Sequence, residues 1–161
     1  MTTRNACSAP GHAGFTLVEL MITVVILSIL VAIAIPAYTS EIRKSRRTEA
    51  RTALLDLASR EERFYSTVNT YSTSPTDLAY GTGTAWPAAP GMSVGSGYYQ
   101  VTVTTTAADP TTTPPTLAGY LITATAVGPQ AGDTQCATFF VTQTGQQGAT
   151  GSATASTDCW Q

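Results

Sequence analysis

Glu19 is the first residue whose setting implies chemistry: it is a lone acid at the edge of an otherwise uncharged apolar segment. From Leu20 to Ile35 the sequence LMITVVILSILVAIAI has no charged side chain, and only Thr23 and Ser28 are polar. With Phe15–Val18 ahead of it, the run approaches the ~20 residues that cross a bilayer as a helix. A charge inside such a segment costs about 3 kcal/mol to insert, so an acid there marks a functional site and asks for a partner. A second concentration of charge follows. Arg43, Lys44, Arg46, Arg47, Arg51, Arg60 and Arg63 fall within 21 residues, and no cation comes after them. Beyond Arg63 the acids are Asp77, Asp109, Asp133 and Asp158, so the last 98 residues carry about −4. No Gly-rich loop ends in a lysine there, and a phosphate has nothing to hold it.

The residues around Glu19 form a recognisable motif. Gly14-Phe15-Thr16-Leu17-Val18-Glu19-Leu20-Met21, with the apolar run directly behind it, resembles the processing site of type IV prepilins, including type II secretion pseudopilins. The resemblance implies that a dedicated peptidase cuts after Gly14 and methylates the new terminal amine, on Phe15. It also implies that Glu19 pairs with the terminal amine of a neighbouring subunit during filament assembly. Further along, Arg46-Arg47-Thr48-Glu49-Ala50-Arg51-Thr52-Ala53-Leu54-Leu55, Glu62-Arg63-Phe64-Tyr65-Ser66 and the closing Asp158-Cys159-Trp160 are similar to PilE-type minor pilins.

An ordinary secretory signal is the rival reading, but its cut follows the apolar core. Here the plausible cut precedes that core, which stays in the product. The leader, residues 1–14, holds only Arg4 and His12 as basic residues, fewer than is common in this family. Without it, seven cations face ten acids, a net of −3. Five cations in Arg43–Arg51 argue for a cytoplasmic flank by the positive-inside rule. Cysteine argues the opposite. Cys7 leaves with the leader, and Cys136 and Cys159 remain as an even pair, as expected of a structural disulfide in an oxidising compartment. With the resemblance, this places the C-terminal part outside the cytoplasm: inner-membrane anchored with a periplasmic domain, then on an extracellular pilus. Removal of His12 leaves no histidine for a triad or an ordinary metal site, so the expectation is a protein that is not an enzyme and has no cofactor.

These features need elements to carry them. The apolar segment continues past Pro36, because residues 37–40 offer no turn signal. From Ile42 onward Ala50, Ala53, Leu54, Leu57, Phe64 and Tyr65 recur at helical spacings, and Asp56 and Arg60 stand at i,i+4. A helix over 15–66 is predicted, about 78 Å long at 1.5 Å per residue. Pro36 is then either a tolerated kink or a softening point used in assembly. Residues 67–97, rich in Ser, Thr, Pro and Gly, read as a loop. Three antiparallel strands are predicted at Tyr98–Thr106, Tyr120–Val127 and Cys136–Thr144. TTTAADPTTTPPT, between the first two, reads as an exposed polar hairpin loop in preference to a glycosylated stalk. The fold class is α+β, a long N-terminal helix packed on an antiparallel sheet, as the resemblance also implies. The predicted divisions are the leader 1–14, hydrophobic helix half 15–36, amphipathic half 37–66, loop 67–97, and sheet with disulfide-closed tail 98–161.

Three functional classes follow. The leading one is a minor subunit of a type IV pilus serving adhesion and twitching motility, with the prepilin peptidase, other pilin subunits and the inner membrane as partners. The second is a competence-type DNA-binding minor pilin. DNA is disfavoured as a partner because non-specific affinity rests on cations, and the arginine cluster reads as a solvated or headgroup face. Trp86, Tyr98 and Trp160 could still stack on bases. The third is a type II secretion pseudopilin.

Overall fold

The computed structural model describes residues 14–82, 86, 91–153 and 155–161. Residues 1–13, nearly all of the expected leader, lie outside them. Two compact units divide the chain, one ending at Ser40 and the other running from Glu41 to Gln161. Helix α1, Leu17–Val68, spans 52 residues with Pro36 inside it. Thr16 opens it, its Oγ1 accepting the Glu19 amide at 3.2 Å. Asn69 closes it in a left-handed conformation (φ 59°), donating its amide to the Tyr65 carbonyl at 2.8 Å. Asparagine tolerates that conformation at a helix end, which is why α1 outruns the predicted Ser66 by two residues.

Within the second unit, α1 buries Ala50, Leu54, Leu57 and Glu61, at spacings of four, three and four. No glycine or proline lies between Ala37 and Val68 to interrupt it. The sheet has five antiparallel strands in sequential order: β1 (Met92–Val94), β2 (Tyr99–Thr106), β3 (Gly119–Ala126), β4 (Thr138–Thr142) and β5 (Gln147–Thr150). The predicted strands correspond to β2, β3 and β4, and the last is trimmed at both ends. β1 lies in the stretch read as a loop, and β5 in QTGQQGATGSATAST, residues 143–157, which offers no large apolar side chain.

Register sorts the two faces. Val101 opposes Ala124 and Val103 opposes Ile122, while Ile122 opposes Val141 and Ala124 opposes Phe139. These side chains join Tyr99, Ala50, Leu54 and Leu57 in one core. On the other face Thr102, Thr123, Phe140 and Gly148 form a cross-strand row. Gly148 is required there, because a Cβ would sit 2.2 Å from the tip of the Phe140 ring. Of TTTAADPTTTPPT, the first three threonines end β2 and the rest opens the β2–β3 connection, braced by an Asp109–Thr116 bridge and by Thr111, whose amide and hydroxyl donate to Asp109 at 2.9 and 2.6 Å.

Cys136 and Cys159 are bonded, closing a loop of sequence separation 23 around β4 and β5. Trp160 also fixes the tail after β5. Trp160 Nε1 donates to the Gly148 carbonyl at 2.8 Å, and its ring meets Phe139 edge-on.

Candidate functional site

The segment from Gly14 to Ser40 has a single physical character: every residue in it is exposed. Phe15 is 77% exposed, and the apolar side chains from Leu17 to Ile35 all remain uncovered. The helix is long and apolar enough to cross a membrane. Burying an aliphatic side chain of this size is worth about 1.5–3 kcal/mol, so a surface this large requires lipid or protein over it. Gly14 explains itself differently. A Cβ built there meets nothing within 4 Å, and its backbone is not among the positive-φ glycines. Among the described residues, neither a close approach nor a positive φ calls for a glycine here.

Thr16 and Glu19 share the first turn of α1. The spacing Ser/Thr-x-x-Glu is that of a capping box, in which the hydroxyl takes the amide of the glutamate three residues on. That half of the box is formed here. The Glu19 side chain is exposed beside it, a bland role that the sequence reading overlooked. Pro36 leaves one carbonyl of the preceding turn without its amide. After it, Thr39 and Ser40 donate their hydroxyls to the carbonyls of Pro36 (3.0 Å) and Ala37 (2.8 Å).

In the second unit the arginine cluster is mostly consumed internally, which corrects its reading as a solvated or headgroup face. Arg47 Nε and Nη2 donate to both oxygens of Asp133 at 2.6 Å each. Asp133 is 2% exposed, not on the outer surface, and Gln130 Nε2 donates to it at 3.0 Å. This hydrogen bonding holds the Arg47 guanidinium above its usual pKa, against burial. The Arg46 guanidinium lies 3.6 Å from the centre of the Tyr98 ring. Arg51 donates to the Gln161 carbonyl at 2.8 Å, and Arg60 pairs with Asp56 at 2.9 Å, as its spacing predicts. The cations left well exposed are Arg43, Lys44 and Arg63, and Lys44 is held by Glu41 at 2.7 Å. The aromatic candidates for base stacking change too. Trp86 is only 7% exposed, Tyr98 sits under Arg46, and Trp160 is committed to β5 and Phe139.

The chain's N-terminal region matches the prokaryotic N-terminal methylation motif over residues 10–35, and residues 36–140 match the family described as type IV minor pilin ComP, DNA uptake sequence receptor. The chain belongs to this type IV pilin family. Among characterised relatives, this pilin is 39% identical to the type IV major pilin protein PilA of Myxococcus xanthus over 71 residues, 44% of this chain and 32% of that one. It is 60% identical to fimbrial protein Q of Moraxella bovis over 38 residues, 24% of each chain. Fimbrial protein EcpC of Eikenella corrodens is 54% identical over 37 residues, 23% of this chain and 24% of that one. The pilin thus spans about a third or less of the length of these relatives.

Proposed function

We propose that this pilin enters a type IV pilus as a minor subunit, polymerising through α1 after cleavage behind Gly14 and methylation of Phe15. Before assembly it is anchored in the inner membrane with the Glu41–Gln161 unit in the periplasm, and the finished filament serves adhesion and twitching motility. The observation that carries this reading is the wholly exposed apolar stretch from Phe15 to Ile35, with Glu19 as its one charge. In a packed filament that carboxylate has to find a cation, because removing one partner of a buried pair leaves the other uncompensated. The new terminal amine of a neighbour supplies it, and Pro36 gives the helix a place to yield. Intact-mass analysis of membrane-extracted protein is expected to give a chain beginning at methylated Phe15; retention of residues 1–14 refutes the cleavage. Glu19→Ala is expected to remain membrane-inserted but to be depleted from sheared filaments at least ~10-fold, a loss of roughly 1.4 kcal/mol or more. Normal incorporation of the variant refutes the pairing.

DNA capture is a second reading, favoured by the family match over residues 36–140. The charge distribution opposes it, since among the described residues the well-exposed cations reduce to Arg43, Lys44 and Arg63. A protein that neutralises few phosphates gains little from counterion release. We therefore expect the full chain in detergent to bind duplex DNA weakly at physiological salt, without sequence preference. Arg43→Ala/Lys44→Ala/Arg63→Ala is expected to abolish what binding there is. Tight, sequence-dependent binding that survives this triple substitution makes the receptor reading the right one.

A further inference from the structure

Two consecutive residues near the end of α1 fasten the segment that follows it. Arg60 Nη1 donates to the carbonyls of Leu78 (3.1 Å) and Ala79 (2.7 Å). Glu61 faces the core and accepts the Ser72 amide on Oε2 at 3.1 Å. Ser72 in turn organises its neighbours, its hydroxyl donating to Asp77 Oδ2 at 2.7 Å and accepting the Ser74 amide at 3.0 Å. Residues 72–79 are thus gripped at one end by a carboxylate and at the other by a guanidinium. The grips differ in kind. Arg60 is partly solvated and permanently charged, whereas Glu61 is fully buried and its Oε1 has no hydrogen-bond partner among the described residues.

The surroundings of Glu61 suit an acid better than its anion. From α1 itself the charge acting on it is Glu62, another anion. Arg60, the adjacent cation, is committed to Asp56 and the two carbonyls. From the following segment come Asp77, through Ser72, and Tyr71, whose hydroxyl donates to Glu62 at 3.3 Å. From β3 comes Tyr120, a phenol kept neutral by burial and by Glu62. Tyr65 stacks on Tyr71 on the same side. Burial pushes the Glu61 carboxyl up to about 7, outweighing the Ser72 amide, which favours the anion.

We propose that Glu61 is a proton-controlled latch: protonated, it holds residues 72–79 against α1, and ionised, it loosens them. The direction follows from linkage. A carboxyl at about 7 in the folded chain and 4.5 when unfolded contributes stability that is complete below 4.5 and is lost as pH rises through 7. The segment tightens in mild acid and relaxes in mild alkali. This inference does not rest on the filament role.

Amide hydrogen–deuterium exchange on the full chain in detergent micelles tests it, with rates corrected for intrinsic pH dependence. Protection of residues 72–79 is expected to fall on the order of tenfold between about pH 5.5 and 8.5 in the native chain. In Glu61→Gln, which mimics the protonated side chain, it should not change. An equal pH dependence in the variant overturns the proposal. Carbon-13 titration of the Glu61 carboxyl in the native chain gives a second reading that needs no substitution. A midpoint near 7 is expected, and one below about 5.5 overturns the latch.

Discussion

Arg47→Ala is expected to cost the Glu41–Gln161 unit about 3–5 kcal/mol, the penalty for breaking a buried ion pair from one side. The size of the effect comes from Asp133 and not from the arginine. At 2% exposure its carboxylate would keep Gln130 as a donor but lose both guanidinium bonds and the cation paired with it. Single domains hold about 5–15 kcal/mol in total, so this one change consumes a large share. Chemical denaturation of the variant is the measurement, and a loss below about 1 kcal/mol contradicts the assignment. The paired substitution Arg47→Met/Asp133→Leu sharpens the test. Apolar replacement of both partners is often neutral, so the double variant should recover most of what Arg47→Ala loses.

Removing the disulfide ranks next. Cys136→Ser/Cys159→Ser is expected to lower stability by about 3 kcal/mol, the chain-entropy value for a loop of this length. For a unit this size that is a fall in melting temperature of roughly 10 °C. The loop between the cysteines holds β5, whose Gln147–Thr150 sequence brings little apolar area to the core. Without the bond, the tail hangs on Trp160, the Arg51 contact to Gln161, the Ser152 and Ala153 amides on the Thr134 and Gln135 carbonyls, and the β4–β5 ladder. Melting curves that coincide with and without reductant would contradict this, as would unchanged protease resistance across 151–158.

What could be read from the chain beforehand depended on how local the signal is. The uncharged run behind Gly14 is a matter of composition and needs no fold to be seen. β2 alternates apolar and hydroxyl side chains, β3 and β4 are short β-branched and aromatic runs bounded by turn residues, and Ala50, Leu54 and Leu57 repeat at helical spacing, so each pattern falls within one element. β1 and β5 are three and four residues long and contain Ser, Gly and Gln; their pairing with β2 and β4 makes them strands, not their own propensity. Arg47 and Asp133 are 86 residues apart, and no spacing rule connects them. Glu61 fills the gap in the apolar stripe between Leu57 and Phe64, where a glutamate reads as the solvent side although the fold buries it against Ser72. Trp86 misled for the same reason, since a Pro- and Gly-rich stretch looks like surface whatever aromatic it carries.

The covalent loop has a further consequence if the subunit is ever pulled. A strand-and-turn segment of 23 residues, once peeled from its sheet, would extend to roughly 75 Å at ~3.3 Å per residue, from 5.8 Å between its ends in the fold. With Cys136 bonded to Cys159 that length is unavailable. A tug on the C-terminal end passes through the sulfur bridge to the start of β4 and is met by the ladder with β3. The β5 hairpin and the tail are bypassed, and they can fray under tension without the domain becoming longer.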